Sequence, residues 1–341
     1  MEAITIKDIA KICGVGVSTV SRALNNHPDI NPETRQRVLE VVEEYDFVPN
    51  NSARNLKLTE SKTIAILVKG MTNPFFMRMI SAMESDIQDK KYSLELRHVD
   101  EMTDEVEVAL ELVKEKKLKG IVFLGGLSNH STEKLDRLGV PYVLSTISMS
   151  DDAEGDFSSV SVDDISESFK ITDYLIKKGH KRIAFIGAPE ADISIGQLRL
   201  EGYLKALKDN GIKPDYDLIW HTKDDSDTYS MKNGYNVMLE KLNEKHDFTA
   251  VYAISDTMAI GAIRALHEKG LSVPGDVSVV GFDGIDMGKY HVPSLTTIHQ
   301  PFDEMAHKTT KILFDVIRHG EAHKKLIMDA ALVERESVRA I

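Results

Sequence analysis

Between Thr5 and Asn26 the apolar residues Ile6, Ile9 and Ala10 recur at helical spacing, stop at Cys13-Gly14, and resume with Val20, Ala23 and Leu24 at the same period. Two short amphipathic helices around a glycine turn are the expected result, a helix-turn-helix. Asn31-Pro32 supplies an N-cap and a first-turn proline for a third helix, reaching about Tyr45, whose Val38, Val41 and Val42 can cover the first two. Phe47-Val48-Pro49 ends it, and a short segment from Asn50 to Leu58 follows. From Ser61 the period changes. Apolar runs at Thr63-Val68, Ser93-Val99, Ile121-Leu124 and Tyr142-Leu144 read as strands, separated by helical stretches near Phe75-Lys90, Asp104-Lys117 and Thr132-Leu138. A second set places strands at Val160-Val162, Arg182-Ile186, Leu218-His221, Ala250-Ile254 and Ser278-Phe282. Helices at Ile165-Lys178, Leu198-Asp209, Ser230-Leu242 and Thr257-Lys269 alternate with them. Strands alternating with helices predict parallel βαβ units.

The helix from Val17 to Leu24 carries Ser18, Thr19, Ser21 and Arg22 on its polar side, short hydrogen-bonding groups and one guanidinium. Such groups reach base edges when a helix lies in a major groove. Val17, Ser18 and Arg22 are the expected base readers. Lys7, Thr19, Ser21, Asn25 and Arg35 are expected to contact phosphates or to fix the helix. Val17 suits a thymine methyl group, or packing against the first helix. One such headpiece reads too few base pairs to be selective, so a homodimer on pseudo-palindromic double-stranded DNA is expected.

Composition limits the alternatives. At 341 residues and 42% hydrophobic, the chain suits two or three domains with sizeable cores. Its apolar runs are far too short to span a bilayer and the N-terminus lacks a signal-peptide apolar region, so a cytoplasmic protein without membrane association is expected. Cys13 sits on an apolar helical face and reads as a small buried hydrophobe. The net charge of -12 argues against polyanion binding by the whole surface. Even within residues 1–60 acids outnumber bases, though Glu40, Glu43, Glu44 and Asp46 cluster at the end of the third helix and leave the bases room for a local face.

The run Thr5-Ile6-Lys7-Asp8-Ile9-Ala10, then Gly14-Val15 and Val17-Ser18-Thr19-Val20-Ser21-Arg22-Ala23-Leu24-Asn25, resembles the lactose-repressor (LacI/GalR) family of bacterial transcription regulators. The match continues through Thr34-Arg35, Val38, Val48-Pro49-Asn50, Ala53-Arg54 and Leu56. The resemblance implies a helical headpiece over residues 1–48, a hinge helix over 49–60, and a two-lobed α/β core like periplasmic binding proteins over 61–341. In the family the hinge orders on DNA and inserts a leucine into the minor groove, here Leu56 with Ala53 beside it. The wedge costs a few kcal/mol of unstacking and lets two headpieces engage. Three interlobe crossings are implied near Val162, Val292 and Leu326. These would give a first lobe of about 61–161 and 293–325 and a second of about 162–292 and 326–341, with the helix Asp303 to His319 in the first.

Ligand is expected in the cleft at the strand carboxyl ends. Asn73-Pro74-Phe75-Phe76 follows the first strand, where Phe75 or Phe76 can stack on a sugar ring or a flat base. Asp163, Arg199, Asp256 and Asp283 sit at strand ends or helix starts, and carboxylates with a planar guanidinium suit a polyhydroxy ligand. Asp163 and Asp256 can equally cap the helices they precede. The resemblance places Asp163, Arg199 and Asp283 at effector-contacting positions and Tyr229 where members set an aromatic. Glu167-Ser168 and Gly196-Gln197 depart from the common pattern and leave ligand identity open. Gly14-Val15-Gly16 follows no strand and is no dinucleotide loop, while His319 and His323 lack a metal-site context, so no metal or cofactor is expected. The expectation is a repressor controlled by a small molecule, most simply a sugar. A purine-type or phosphoprotein co-repressor, a sugar receptor and a sugar-processing enzyme are the alternatives.

Overall fold

Residues 4–24, 27, 29–45, 47, 62–70, 73–100, 103–126, 131–148, 156–190, 192–223, 228–244 and 247–341 are described in the computed structural model. The chain separates into two units, Met1–Ser61 and Lys62–Ile341.

In the first unit, α1 (Ile6–Ile12), α2 (Val17–Leu24) and α3 (Pro32–Glu44) follow the apolar pattern. Asp8 accepts hydrogen bonds from Thr5 N at 2.9 Å and Thr5 Oγ1 at 2.5 Å, closing the start of α1. These bonds hold its carboxyl below the usual range. Asn31 Oδ1 accepts from Glu33 N and Thr34 N, and Pro32 occupies the first turn of α3. Ile9, Ala10, Cys13, Val20, Ala23, Val38 and Phe47 form one buried cluster, with Val41 and Val42 packed against it. Cys13 is a core residue there. Asn25, Ala53, Leu56 and the whole 49–60 segment lie outside the described residues.

The second unit holds two six-stranded sheets. The first has the order β11-β5-β4-β3-β1-β2, with β1 (Thr63–Lys69), β2 (Ser93–Val99), β3 (Gly120–Leu124), β4 (Tyr142–Ser145), β5 (Ser158–Val162) and β11 (Lys325–Met328). The second has the order β12-β10-β9-β8-β6-β7, with β6 (Ile183–Gly187), β7 (Ile219–His221), β8 (Ala250–Ala253), β9 (Ser278–Asp283), β10 (Thr296–His299) and β12 (Ala331–Val333). All neighbours run parallel except β10 and β12. β3, β6, β8 and β9 are buried along their whole length, the mark of parallel strands covered on both faces. In each sheet the strand order reverses about its earliest strand, β1 or β6, and a doubly wound sheet binds ligands at the carboxyl ends there.

The covering helices are α4 (Pro74–Asp89), α5 (Glu105–Lys116), α6 (Thr132–Asp136), α7 (Asp164–Lys177), α8 (Ile195–Asp209), α9 (Met231–Asn243), α10 (Asp256–Glu268), α11 (Asp286–Tyr290) and α12 (Phe302–His319). α9 and α10 approach closely because Gly261 faces the Met231 carbonyl, where an added Cβ would sit 2.0 Å from the oxygen. α12 packs on α4 and the first sheet, although it comes late in the chain.

Strand pairing moves two of the expected crossings. The chain leaves the first sheet after β5, as expected near Val162. It returns only after His299, since β10 pairs with β9, and the crossing at Gln300-Pro301 replaces the one expected near Val292. It crosses again after Met328, because β11 pairs with β5, two residues beyond the expected Leu326. The lobes are therefore residues 62–162 with 301–328, and residues 163–300 with 329–341. β10 (Thr296-Thr297-Ile298-His299) and β11 (Lys325-Leu326-Ile327-Met328) carry too little apolar signal to show which sheet they join.

Candidate functional site

A cavity of about 310 Å³ lies between the lobes, at the carboxyl ends of β1, β3, β6 and β9. Lys69, Asn73, Phe75, Phe76, Gly125, Gly126, Thr146 and Ile147 line it from the first lobe. Asp192, Ser194, Ile195, Arg199, Tyr229, Asp283 and Gln300 line it from the second lobe and its crossing.

Arg199 organises the second-lobe floor. It projects from α8 with a side chain only 2% exposed, and its guanidinium lies 3.6 Å from the Phe282 ring centre. Its Nε donates to Asp164 Oδ1 at 2.8 Å and Nη1 to the Ile254 carbonyl, while Asp283 Oδ1 lies 3.6 Å from Nη1. Among the described residues its Nη2 makes no hydrogen bond. Burial raises the Asp164 and Asp283 carboxyls, and the guanidinium offsets that rise only in part. The same carboxylates raise the pKa of Arg199 against its own desolvation.

Asp283 joins the two lobes. Its Oδ2 accepts from Asn73 Nδ2 at 3.0 Å and its Oδ1 from Gln300 Nε2 at 2.9 Å. Asn73 is also the N-cap of α4, taking the Phe75 N–H on Oδ1. Asp283 has φ of 112°, a region non-glycine residues rarely enter, and such strain persists where surrounding contacts over-determine it. A second polar chain runs along the rim, where Asp192 accepts from Ser194 Oγ at 2.7 Å and Ser194 Oγ meets Tyr229 OH at 3.0 Å. Burial raises the Asp192 carboxyl, and Lys69 across the cavity is among the groups that lower it.

Lys69 closes the first-lobe side. Its Nζ donates to Glu105 Oε2 at 3.0 Å and the Thr103 carbonyl at 2.9 Å. Gly126, at φ of 122°, leaves the space that the Glu105 carboxylate occupies, since an added Cβ would sit 2.3 Å from Oε1. Outside the cavity Arg78 of α4 bridges to Asp286 of the second lobe at 3.1 Å and to Asp303 at 2.9 Å. Ile195 packs against the first-lobe apolar cluster that holds Ile147.

Five of the residues assigned to the cleft from sequence, Phe75, Phe76, Arg199, Tyr229 and Asp283, line this cavity. Both phenylalanines are also core, packed ring to ring at 5.5 Å. Asp163 and Asp256 do not line it. Asp163 is exposed and caps α7, accepting from Ser166 N at 2.9 Å and Ser166 Oγ at 2.6 Å. One position along a helix start turns a side chain by about 100°, and the neighbour Asp164 is the residue that reaches Arg199. Asp256 is fully buried behind the wall, accepting from Thr297 Oγ1 at 2.6 Å and Ile285 N at 2.8 Å. Sequence reasoning missed Lys69, Asp192, Ser194 and Gln300 on the wall. Asn73 stood in the selected loop, and its cap position before proline was the available signal.

In the headpiece, Lys7, Val17, Ser18 and Arg22 are exposed, while Thr19, Ser21 and Arg35 are half-buried. Val17 is 39% exposed at the start of α2. Arg35 Nε is buried without a hydrogen-bond partner among the described residues. No helix among the described residues is long and apolar enough to cross a membrane, and no cluster of metal-ligating side chains occurs among them.

The family model "Bacterial regulatory proteins, lacI family" matches residues 5–50, and a periplasmic binding protein-like domain matches residues 172–338. The HTH-type transcriptional regulator MalR of Clostridium butyricum is 40% identical over 335 residues, covering 97% of this chain and 98% of the relative. A lac repressor dimer bound to operator and the anti-inducer ONPF superposes with a TM-score of 0.77 at 25% identity, covering 99% of this chain and all of that one. A complex of the transcriptional regulator CelR with cellobiose has a TM-score of 0.71 at 29% identity, over 98% of this chain and 99% of its own.

Proposed function

The chain belongs to the lacI family of bacterial regulatory proteins and is a DNA-binding transcription regulator, not an enzyme; we propose that it acts in the cytoplasm as a homodimeric repressor whose operator affinity is set by a sugar in the interlobe cleft. The observation that carries the reading is the hydrogen bond from Asn73 of one lobe to Asp283 of the other, on the cavity wall. A ligand that bonds to this pair acts on both lobes at once. It therefore favours one lobe arrangement over another, and differential affinity is what an allosteric ligand needs. Coupling of about 1–3 kcal/mol is typical. Carboxylates at Asp192 and Asp283, the Arg199 fork and the Tyr229 hydroxyl match the hydroxyl groups of a sugar, and the CelR complex holds cellobiose. We assign Phe75 and Phe76 to the apolar face of the ring.

On the DNA side, we assign Val17, Ser18 and Arg22 of α2 as base readers, Lys7, Thr19, Ser21, Asn25 and Arg35 as supporting contacts, and Leu56 with Ala53 as the hinge wedge. Arg22→Ala is expected to weaken operator binding by about 1–3 kcal/mol, roughly 5- to 150-fold, and to relax selectivity at one base position. Competition by mutated operators in a mobility-shift titration measures this. A uniform loss on every sequence would make Arg22 a phosphate contact instead.

Thermal unfolding of the full-length protein against sugars, nucleobases and nucleosides tests the cleft assignment. A ligand held only by the native state stabilises it by mass action, about 2.7 kcal/mol at a hundred times its Kd. A shift with a sugar, followed by a change in operator affinity with that sugar present, is the expected outcome. A shift with a nucleobase alone would replace the sugar by a purine-type effector.

A further inference from the structure

We infer that the cleft is built for an uncharged polyhydroxy ligand and rejects its phosphorylated counterpart, an inference that rests on the sugar reading above. Lys69 and Arg199 are the cationic side chains on the wall among the described residues, and the protein's own acids engage both. Lys69 holds Glu105 and the Thr103 carbonyl, and it faces Asp192 across the cavity. Arg199 holds Asp164 and the Ile254 carbonyl, lies beside Asp283, and is backed by the Phe282 ring. Two cations thus meet four carboxylates, of which Asp192 and Asp283 stand on the wall itself. A phosphate entering here meets wall carboxylates and, among the described residues, no cation that is not already engaged, and like charges at such short range repel.

Helix N-termini are the other seats for an anion, and here they are filled from within. α8 begins beside the cleft, but its first turn is capped by Ser194, whose Oγ accepts from Gly196 N–H and donates to the Asp192 carboxylate, so an acid already sits at that helix start. α4 begins with Asn73 as its cap and a proline at its first position. α7 is capped by Asp163. What the wall offers instead is acceptor capacity, because ionised carboxylates only accept, and hydroxyl groups are neutral donors that satisfy them. Arg199 Nη2 and Tyr229 OH supply the complementary contacts.

Isothermal titration of the full-length protein with matched pairs decides the matter: glucose against glucose 6-phosphate, and maltose and cellobiose each against a phosphorylated form. The expected result is a neutral sugar that binds and a phosphorylated partner at least about tenfold weaker, with a neutral-sugar affinity that changes little with salt. A phosphorylated member binding as tightly as its neutral partner, or more tightly, would overturn the inference and leave the sugar cleft standing. Failure of every pair, with a nucleobase binding instead, would overturn both. Glu105→Gln supplies a second measurement, since it releases Lys69. It should narrow the gap within the pair that binds, by raising affinity for the phosphorylated member, whereas an unchanged gap would contradict the charge argument.

Discussion

Arg199→Ala is expected to lower the unfolding free energy of the core by about 3–5 kcal/mol, the usual cost of removing one member of a buried ion pair. The guanidinium stands between Asp164, at 2.8 Å from Nε, and Asp283, at 3.6 Å from Nη1, and all three side chains are almost wholly buried. Without it two buried carboxylates remain with no counter-charge, Asp283 keeping only the neutral donors Asn73 and Gln300. They must either draw in water or take up protons. The alanine also opens a void above the Phe282 ring, which now carries the guanidinium at 3.6 Å. From sequence alone the same variant looks like a clean removal of ligand response with DNA binding untouched. Its burial predicts instead that folding and response fail together. Urea unfolding followed by fluorescence measures the loss, and a change under about 1 kcal/mol would mean that Asp164 and Asp283 are already neutral in the native protein.

The second large effect concerns pH. Asp256 is fully buried, and its carboxyl is pushed up to about 8, first by desolvation and then by the nearby Asp283 charge. Thr297, Ile285 and Gly284 hydrogen bonds oppose that rise without cancelling it. The folded protein therefore keeps a proton on Asp256 that the unfolded chain releases near pH 4. Between about pH 4 and pH 8 the native state binds more protons, so this group's contribution to stability falls as pH rises, by up to roughly 1.4 kcal/mol per unit, and levels off above about pH 8. The geometry suits a neutral acid, since Thr297 Oγ1 lies 2.6 Å from Oδ1 and also 3.2 Å from the Ile298 carbonyl, which can take the hydroxyl proton. Asp256→Asn keeps a neutral group of the same shape. Its stability relative to the parent protein should rise steadily from pH 5 to pH 8, measured as the difference in urea midpoint. A variant that weakens equally at both pH values would show that the native carboxyl is ionised throughout.

The two expectations share one cause. Asp164 and Asp283 converge from α7 and β9 on a single guanidinium, while Asp256 of α10 is buried close enough to feel the Asp283 charge. One of the three, Asp283, is also the acceptor for Asn73 from the other lobe. A change in the buried cluster is thus carried to the interlobe contact through a single side chain.

Periodicity made most of the elements legible. Ile6, Ile9 and Ala10, then Val20, Ala23 and Leu24, placed α1 and α2, and α2 spans Val17–Leu24 as the pattern reads. Long apolar strands such as Thr63–Lys69 announced themselves because a parallel strand buried on both faces must be apolar throughout. Two late strands did not. β10 and β11 have four residues each, and only their hydrogen-bonded partners assign them to a sheet. Hence the crossing at Gln300-Pro301 was not visible in the chain, although it delivers Gln300 to Asp283.

At the cleft, local chemistry named residue types and three-dimensional packing chose among them. An aspartate before a helix is either a cap or a ligand-facing group, and the sequence Val162-Asp163-Asp164 offers both. Asp163 became the cap and Asp164 the partner of Arg199, because the first turn of α7 points one to solvent and the other inward. Lys69 and Asp192 lie far apart in the chain and become neighbours across the cavity only when the lobes meet. The sequence by itself determined the headpiece helices, the alternating α/β plan and the family, since all three rest on local period and collinear motif. Which carboxylate is buried, which cation is already paired and where the chain crosses between lobes were decided by tertiary structure, because burial and charge pairing depend on neighbours that sequence distance does not record.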